Sequence, residues 1–168
     1  MEDIDFNSIS NIKKQGFKGF KTVKELWMDN FSIPNQMGVY LVLNKDMYKP
    51  GFMSVGVGGH FKGKNPNVSA SALETQWVDN ALVLYIGKAG GPGSGATLHS
   101  RIRQYLRFGQ GVNVGHWGGR FIWQLGNHEE LVFCWKPTPG KDPREIEIGL
   151  IQAFISQYGM MPFANLTV

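Results

Sequence analysis

A single cysteine among 168 residues excludes an internal disulfide, which needs two thiols. That residue, Cys134, sits in Leu131-Val132-Phe133-Cys134-Trp135 and reads as a small core side chain rather than a nucleophile. No apolar run reaches the length of a membrane span, so no membrane partner is expected. The start, Met1-Glu2-Asp3, is acidic and lacks an apolar leader, and a reducing cytoplasm is the expected compartment. The four histidines, His60, His99, His116 and His128, show no metal-ligand spacing, which argues against zinc. There is no repeat, no low-complexity tract and no zinc-finger or helix-turn-helix pattern.

What is present suits one domain with a real core, since 42% of residues are hydrophobic and only 18% charged. The net charge of +4 is compatible with a polyanionic partner without requiring one. Residues 1–36 read as an N-terminal arm and short helix, and 37–168 as the main domain. The arm is irregular or partly ordered to residue 21. Thr22 with Glu25 then forms a capping box for a helix to Asn30. Gly38 to Leu43 is a β-branched and aromatic strand. Residues 44–80 form a long loop-like excursion, with one or two helical turns at Ser71 to Trp77. The strand Leu82 to Ile86 and a Gly-rich turn, Gly90 to Gly95, follow. Thr97 caps a helix to about Phe108, with Leu98, Ile102, Tyr105 and Leu106 on one face. Arg101 lies on the margin of that face, and Arg103 and Arg107 point the other way. Arg120 to Leu125 and Glu130 to Trp135 read as a hairpin. The last helix opens on Asp142 and Pro143 and closes at Gly159.

Chemistry gathers at Val83-Leu84-Tyr85-Ile86-Gly87-Lys88, where a phenol and an ammonium leave a strand just before the Arg101 helix. A phenol, an ammonium and a guanidinium together suit phosphate. The last helix adds a carboxylate. Glu145 stands at its capping-box position, but Glu147 projects from the middle of an apolar arc of Ile146, Leu150, Ile151, Phe154 and Tyr158. A carboxylate there needs a partner, either a structural Arg or a hard cation such as Mg²⁺. Lys62 and Lys64 either track a phosphate backbone or form a solvated loop. His116, Trp117 and Arg120 either stack a base and touch phosphate or form a tight turn.

These blocks resemble a known family. Gly38-Val39-Tyr40 and Tyr85-Ile86-Gly87 resemble the two halves of the GIY-YIG endonuclease signature. Thr97 to Arg101 is similar to that family's arginine helix, Glu147 to Ile151 to its metal-ligand segment, and Pro162 to Asn165 to its closing asparagine. The likeness spans residues 38–168 and is nearest to stand-alone bacterial members. It implies an α+β fold: a central three-stranded antiparallel sheet flanked by helices, here with the added hairpin and the 44–80 insertion. It also implies phosphodiester hydrolysis in nucleic acid, with DNA the expected substrate, using one Mg²⁺ or Mn²⁺. Tyr40 or Tyr85 would orient or deprotonate water, Arg101 would bind the scissile phosphate, Glu147 would hold the metal, and Asn165 would support the site. Lys88 would assist by contacting phosphate or tuning a tyrosine. Lys62, Lys64, Arg103, Arg107, His116 and Arg120 would contact nucleic acid.

Three departures stand out. The insertion separates the two signature halves, the turn at Gly91 to Gly95 lengthens the approach to Arg101, and Tyr105 stands where many members carry a histidine. A nucleic-acid-binding module without turnover is the rival reading. A subunit of a larger assembly, docking through Phe17, Phe20 and Trp27, is another.

Overall fold

A computed structural model describes residues 3–167; residues 1, 2 and 168, at the ends of the expected arm and domain, lie outside the described residues. The chain is α+β, with one four-stranded antiparallel sheet and helices on both faces. In chain order it runs α1 (Ile9–Lys14), β1 (Lys18–Thr22), α2 (Val23–Met28), β2 (Gly38–Leu43), α3 (Ala70–Gln76), β3 (Val83–Ala89), α4 (Leu98–Gly109), β4 (Val132–Pro137) and α5 (Pro143–Tyr158). The strand order is β1-β4-β2-β3. No helix of the described residues is long and apolar enough to cross a membrane.

β2 lies at the centre and every residue in it is buried. Its alternation divides the core. Val39, Leu41 and Leu43 face a cluster containing Ile12, Leu150, Ile151 and Phe154. Tyr40 and Val42 face the other cluster, with Leu26, Ile102, Tyr105 and Trp123. The sheet is thus packed between α1 and α5 on one side and α2 and α4 on the other. The expected helix caps form: Thr22 and Glu25 make a reciprocal capping box, Thr97 accepts from the Ser100 amide, and Gly159 takes φ +80° at the end of α5. Asp142 caps α5 through the Arg144 amide, one residue earlier than a capping box with Glu145 would require.

Four expectations need correction. The sheet has four strands rather than three, because the N-terminal segment contributes α1 and β1 instead of an irregular arm. Gly16, Gly19 and Phe20 all have positive φ, and a bulge falls between Gly19 and Lys21, so β1 carries no clean alternation for sequence to reveal. The added hairpin is absent. Residues Trp117–Gln124 coil as 3-10 turns, and β4 pairs with β1 and β2 instead. Phe121, Ile122, Trp123 and Gln124 are consecutively buried, and the insertion claims two of their carbonyls: Val57 N donates to Trp123 O and Met53 N to Gln124 O. Buried Gln124 clasps the insertion further, accepting from Val68 N and donating to Met53 O and Val68 O. The insertion is therefore a bound layer containing α3, not a free loop. Finally, Phe17 is buried, and Trp27 donates to Leu106 O while stacking on Trp123; the most exposed large apolar side chains are Met28, Phe31 and Tyr48.

Candidate active site

β3 is an edge strand, and its free edge is closed by the C-terminal tail. Ala164 N donates to Leu84 O. The Asn165 side chain then pairs with both backbone groups of Ile86, accepting from its N–H and donating to its C=O, each at 2.9 Å. Asn165 is thus a buried side-chain substitute for one rung of a fifth strand, holding the backbone between Tyr85 and Gly87. Across the sheet Gly87 pairs with Tyr40. A Cβ on Gly87 would sit 2.5 Å from Tyr40 Cζ and 2.7 Å from Tyr85 Cε1, so only glycine lets the two phenols lie together here.

At the exit of β3 a cleft of about 570 Å³ opens, lined by Tyr85, Lys88, Ser100, Arg101, Gln104, Arg107 and Glu147 among others. Three elements supply its charge: β3 gives Lys88, α4 gives Arg101 and Arg107, and α5 gives Glu147, the one carboxylate of the lining. Beyond the long Gly90–Gly95 turn, Arg101 lines the cleft. Its Nη1 donates to Gln104 Oε1 at 2.9 Å and to Gly115 O at 3.0 Å, tying α4 to the 115–120 loop.

Glu147 is 12% exposed. Burial raises its pKa, and Lys88, Arg144 and Arg101 oppose that rise. Its Oε2 is buried without a hydrogen-bond partner, the Arg144 guanidinium standing 3.7 Å away. Glu147 lines the cleft, and a carboxylate at that place suits a hard divalent cation that completes its shell with water and phosphate oxygen. Among the described residues no three His, Cys, Asp or Glu side chains come together, so Glu147 would be the protein's carboxylate at such an ion.

The phenols divide by depth. Tyr85 is 9% exposed and reaches the cleft. Burial pushes it up to about 12, while Arg101 pulls the other way and the Glu147 charge adds to the rise. Tyr40 is fully buried behind it, ring centroids 6.0 Å apart, and burial also raises it well above the usual phenol range. The Tyr85 charge adds to the rise of Tyr40, and Arg101 opposes it.

Comparison with protein-family models, curated proteins and solved structures finds no match to this chain.

The residues expected to contact nucleic acid fall in different places. Arg107 lines the cleft, whereas Arg103 is exposed outside its lining. Lys62 and Lys64 are exposed, and Arg120 is half-buried with its guanidinium 4.4 Å over Trp117. His116 is the correction. It is 1% exposed and cannot reach a bound strand. Its ring stacks on Tyr105 at 3.6 Å and 8°, and its Nε2 lies 2.8 Å from Tyr40 Oη. Burial, and secondarily Arg101, lower its pKa, so the imidazole is neutral. A neutral imidazole and a phenol share this one buried hydrogen bond, with the donor set by the ring tautomer, and His116 Nδ1 has no hydrogen-bond partner among the described residues. Tyr105 is likewise fully buried and donates to Gly119 O, so it is a stacking platform and loop anchor, not a phenol of the cleft. No spacing in the sequence announces the His116–Tyr40 contact, whose partners are 76 residues apart.

Proposed function

We propose that the chain is a divalent-metal-dependent phosphodiester hydrolase acting on nucleic acid, DNA in the first instance, on a GIY-YIG-like site. The observation that carries this reading is the gathering of Tyr85, Lys88, Arg101 and Glu147 around one cleft from three separate elements. Arg101 and Lys88 supply the positive charge that a scissile phosphate and its developing negative charge need. A metal at Glu147 would polarise the phosphate and lower the pKa of water. Tyr85 keeps its proton at neutral pH and orients the attacking water. Tyr40 packs behind Tyr85, and His116 holds the Tyr40 hydroxyl through their buried hydrogen bond.

The rise of Tyr85 to about 12 also favours a second reading, a nucleic-acid-binding module without turnover. Incubation with plasmid and branched DNA in Mg²⁺ or Mn²⁺ separates the two. Metal-dependent nicking that disappears in Glu147→Ala supports hydrolysis. Binding with no product on any substrate supports the module.

A further inference from the structure

The acidic residues are absent from two stretches of the chain. Residues 47–73 and 80–128 contain eight Lys and Arg and no Asp or Glu, while the remainder holds nine Lys and Arg and all 13 acids. The net +4 is therefore +8 on these stretches and −4 elsewhere. Among the described residues Lys49 alone of the eight forms an ion pair, with Glu74.

The two stretches meet beside the cleft. The Arg101 guanidinium holds Gly115 O, and the space beside Gly115 is filled by the Phe61 ring, 3.3 Å from where a Cβ would lie. Lys62 and Gly63 follow in left-handed backbone, at φ +55° and +73°, which throws Lys62 and Lys64 out at the tip of a tight turn. A lysine in that conformation is strained and persists only because the surrounding structure imposes it. The Lys64 ammonium stands 5.9 Å from the Trp117 ring and the Arg120 guanidinium 4.4 Å from it. The indole thus serves as a platform that fixes cations rather than as an open face for a base.

Resting on the hydrolase reading above, we propose that this surface is a docking track for the sugar-phosphate backbone of the strand cut in the cleft. The turn at residues 60–64, carried by the insertion, holds phosphates beyond the scissile one. Contacts of this kind fix register without reading bases, so binding is steep in salt and indifferent to sequence.

The test is fluorescence anisotropy of the full chain without metal, titrated with labelled DNA duplexes of two unrelated sequences across a salt series. The Lys62→Glu/Lys64→Glu pair should weaken binding by about tenfold or more and flatten the salt slope by roughly one unit per lysine removed. Two equal charge changes off the track, Lys24→Glu with Lys45→Glu, should leave binding within about twofold. Equal losses from both pairs would reduce the effect to net charge and overturn the track. Preference for one sequence by more than about tenfold, or equal competition by polyglutamate of matched charge, would overturn the backbone assignment. Unchanged binding in the track variant, with wild-type cleavage intact, removes the track and leaves the hydrolase standing. A wild type that binds no nucleic acid removes both.

Discussion

The Tyr40 hydroxyl and His116 Nε2 stand 2.8 Å apart in a space sealed from solvent, directly behind the cleft-facing phenol of Tyr85. His116→Phe keeps the stack on Tyr105 but removes the one nitrogen bonded to the Tyr40 hydroxyl among the described residues. An unpaired buried hydroxyl costs about 1–3 kcal/mol of stability. Cleavage should fall about 10²-fold in kcat with KM little changed, whereas His116→Gln, whose amide can donate or accept, should recover most of it. Steady-state kinetics of the two variants beside wild type read this directly. Equal loss in both would deny the hydrogen bond its part.

Glu147 carries a cost that substitution should relieve. Its folded pKa is raised above the unfolded one, so its charged form opposes folding at neutral pH and ceases to do so only in acid. Glu147→Gln should therefore show a Tm at or above wild type while losing metal-dependent cleavage by about 10³-fold. Calorimetry and a nicking assay on the same preparation check both halves. A destabilised variant would mean that the carboxylate serves structure, through Arg144 or another cation.

Asn165 replaces a strand rung, so its loss leaves two buried backbone groups of Ile86 unpaired. Asn165→Ala should destabilise the chain by about 2–4 kcal/mol. Amide exchange at Ile86 should accelerate more than at residues of β4. Denaturant midpoints and hydrogen exchange decide it. An unaltered Ile86 amide would show that the tail does not hold β3.

Four phenols are raised by burial, Tyr40, Tyr85, Tyr105 and, at the end of α5, Tyr158. A group whose folded pKa exceeds its unfolded value stabilises fully below the unfolded value and loses that contribution as pH climbs through the folded one. The window opens at 10.0 and, for Tyr85, extends to about 12. Tyr85 alone then accounts for about 3 kcal/mol lost across it. Tm followed against pH should drop steeply above pH 10, and less steeply in Tyr85→Phe. A matching slope in the two proteins would contradict the burial of this phenol.

Local signals were legible wherever neighbours in sequence are neighbours in space. The caps at Thr22, Thr97 and Asp142 are short-range hydrogen bonds, and all three form. The buried strands β2 and β3 follow from unbroken β-branched and aromatic runs. Residues 120–125 misled because a run of buried residues reads as strand by composition alone. The insertion took up the carbonyls of Trp123 and Gln124, and β1 occupied the sheet position beside β4.

The sequence by itself marked the candidate side chains: the two phenols, Arg101, Lys88 and the carboxylate in an apolar arc stand out by residue type and local spacing. Tertiary structure alone decided their depths. It set Tyr85 at the cleft and Tyr40 behind it, and it drew His116 from a surface contact into the interior. The reason is physical. Burial and the pairing of residues 76 apart depend on how layers close over one another, and no short-range pattern encodes that.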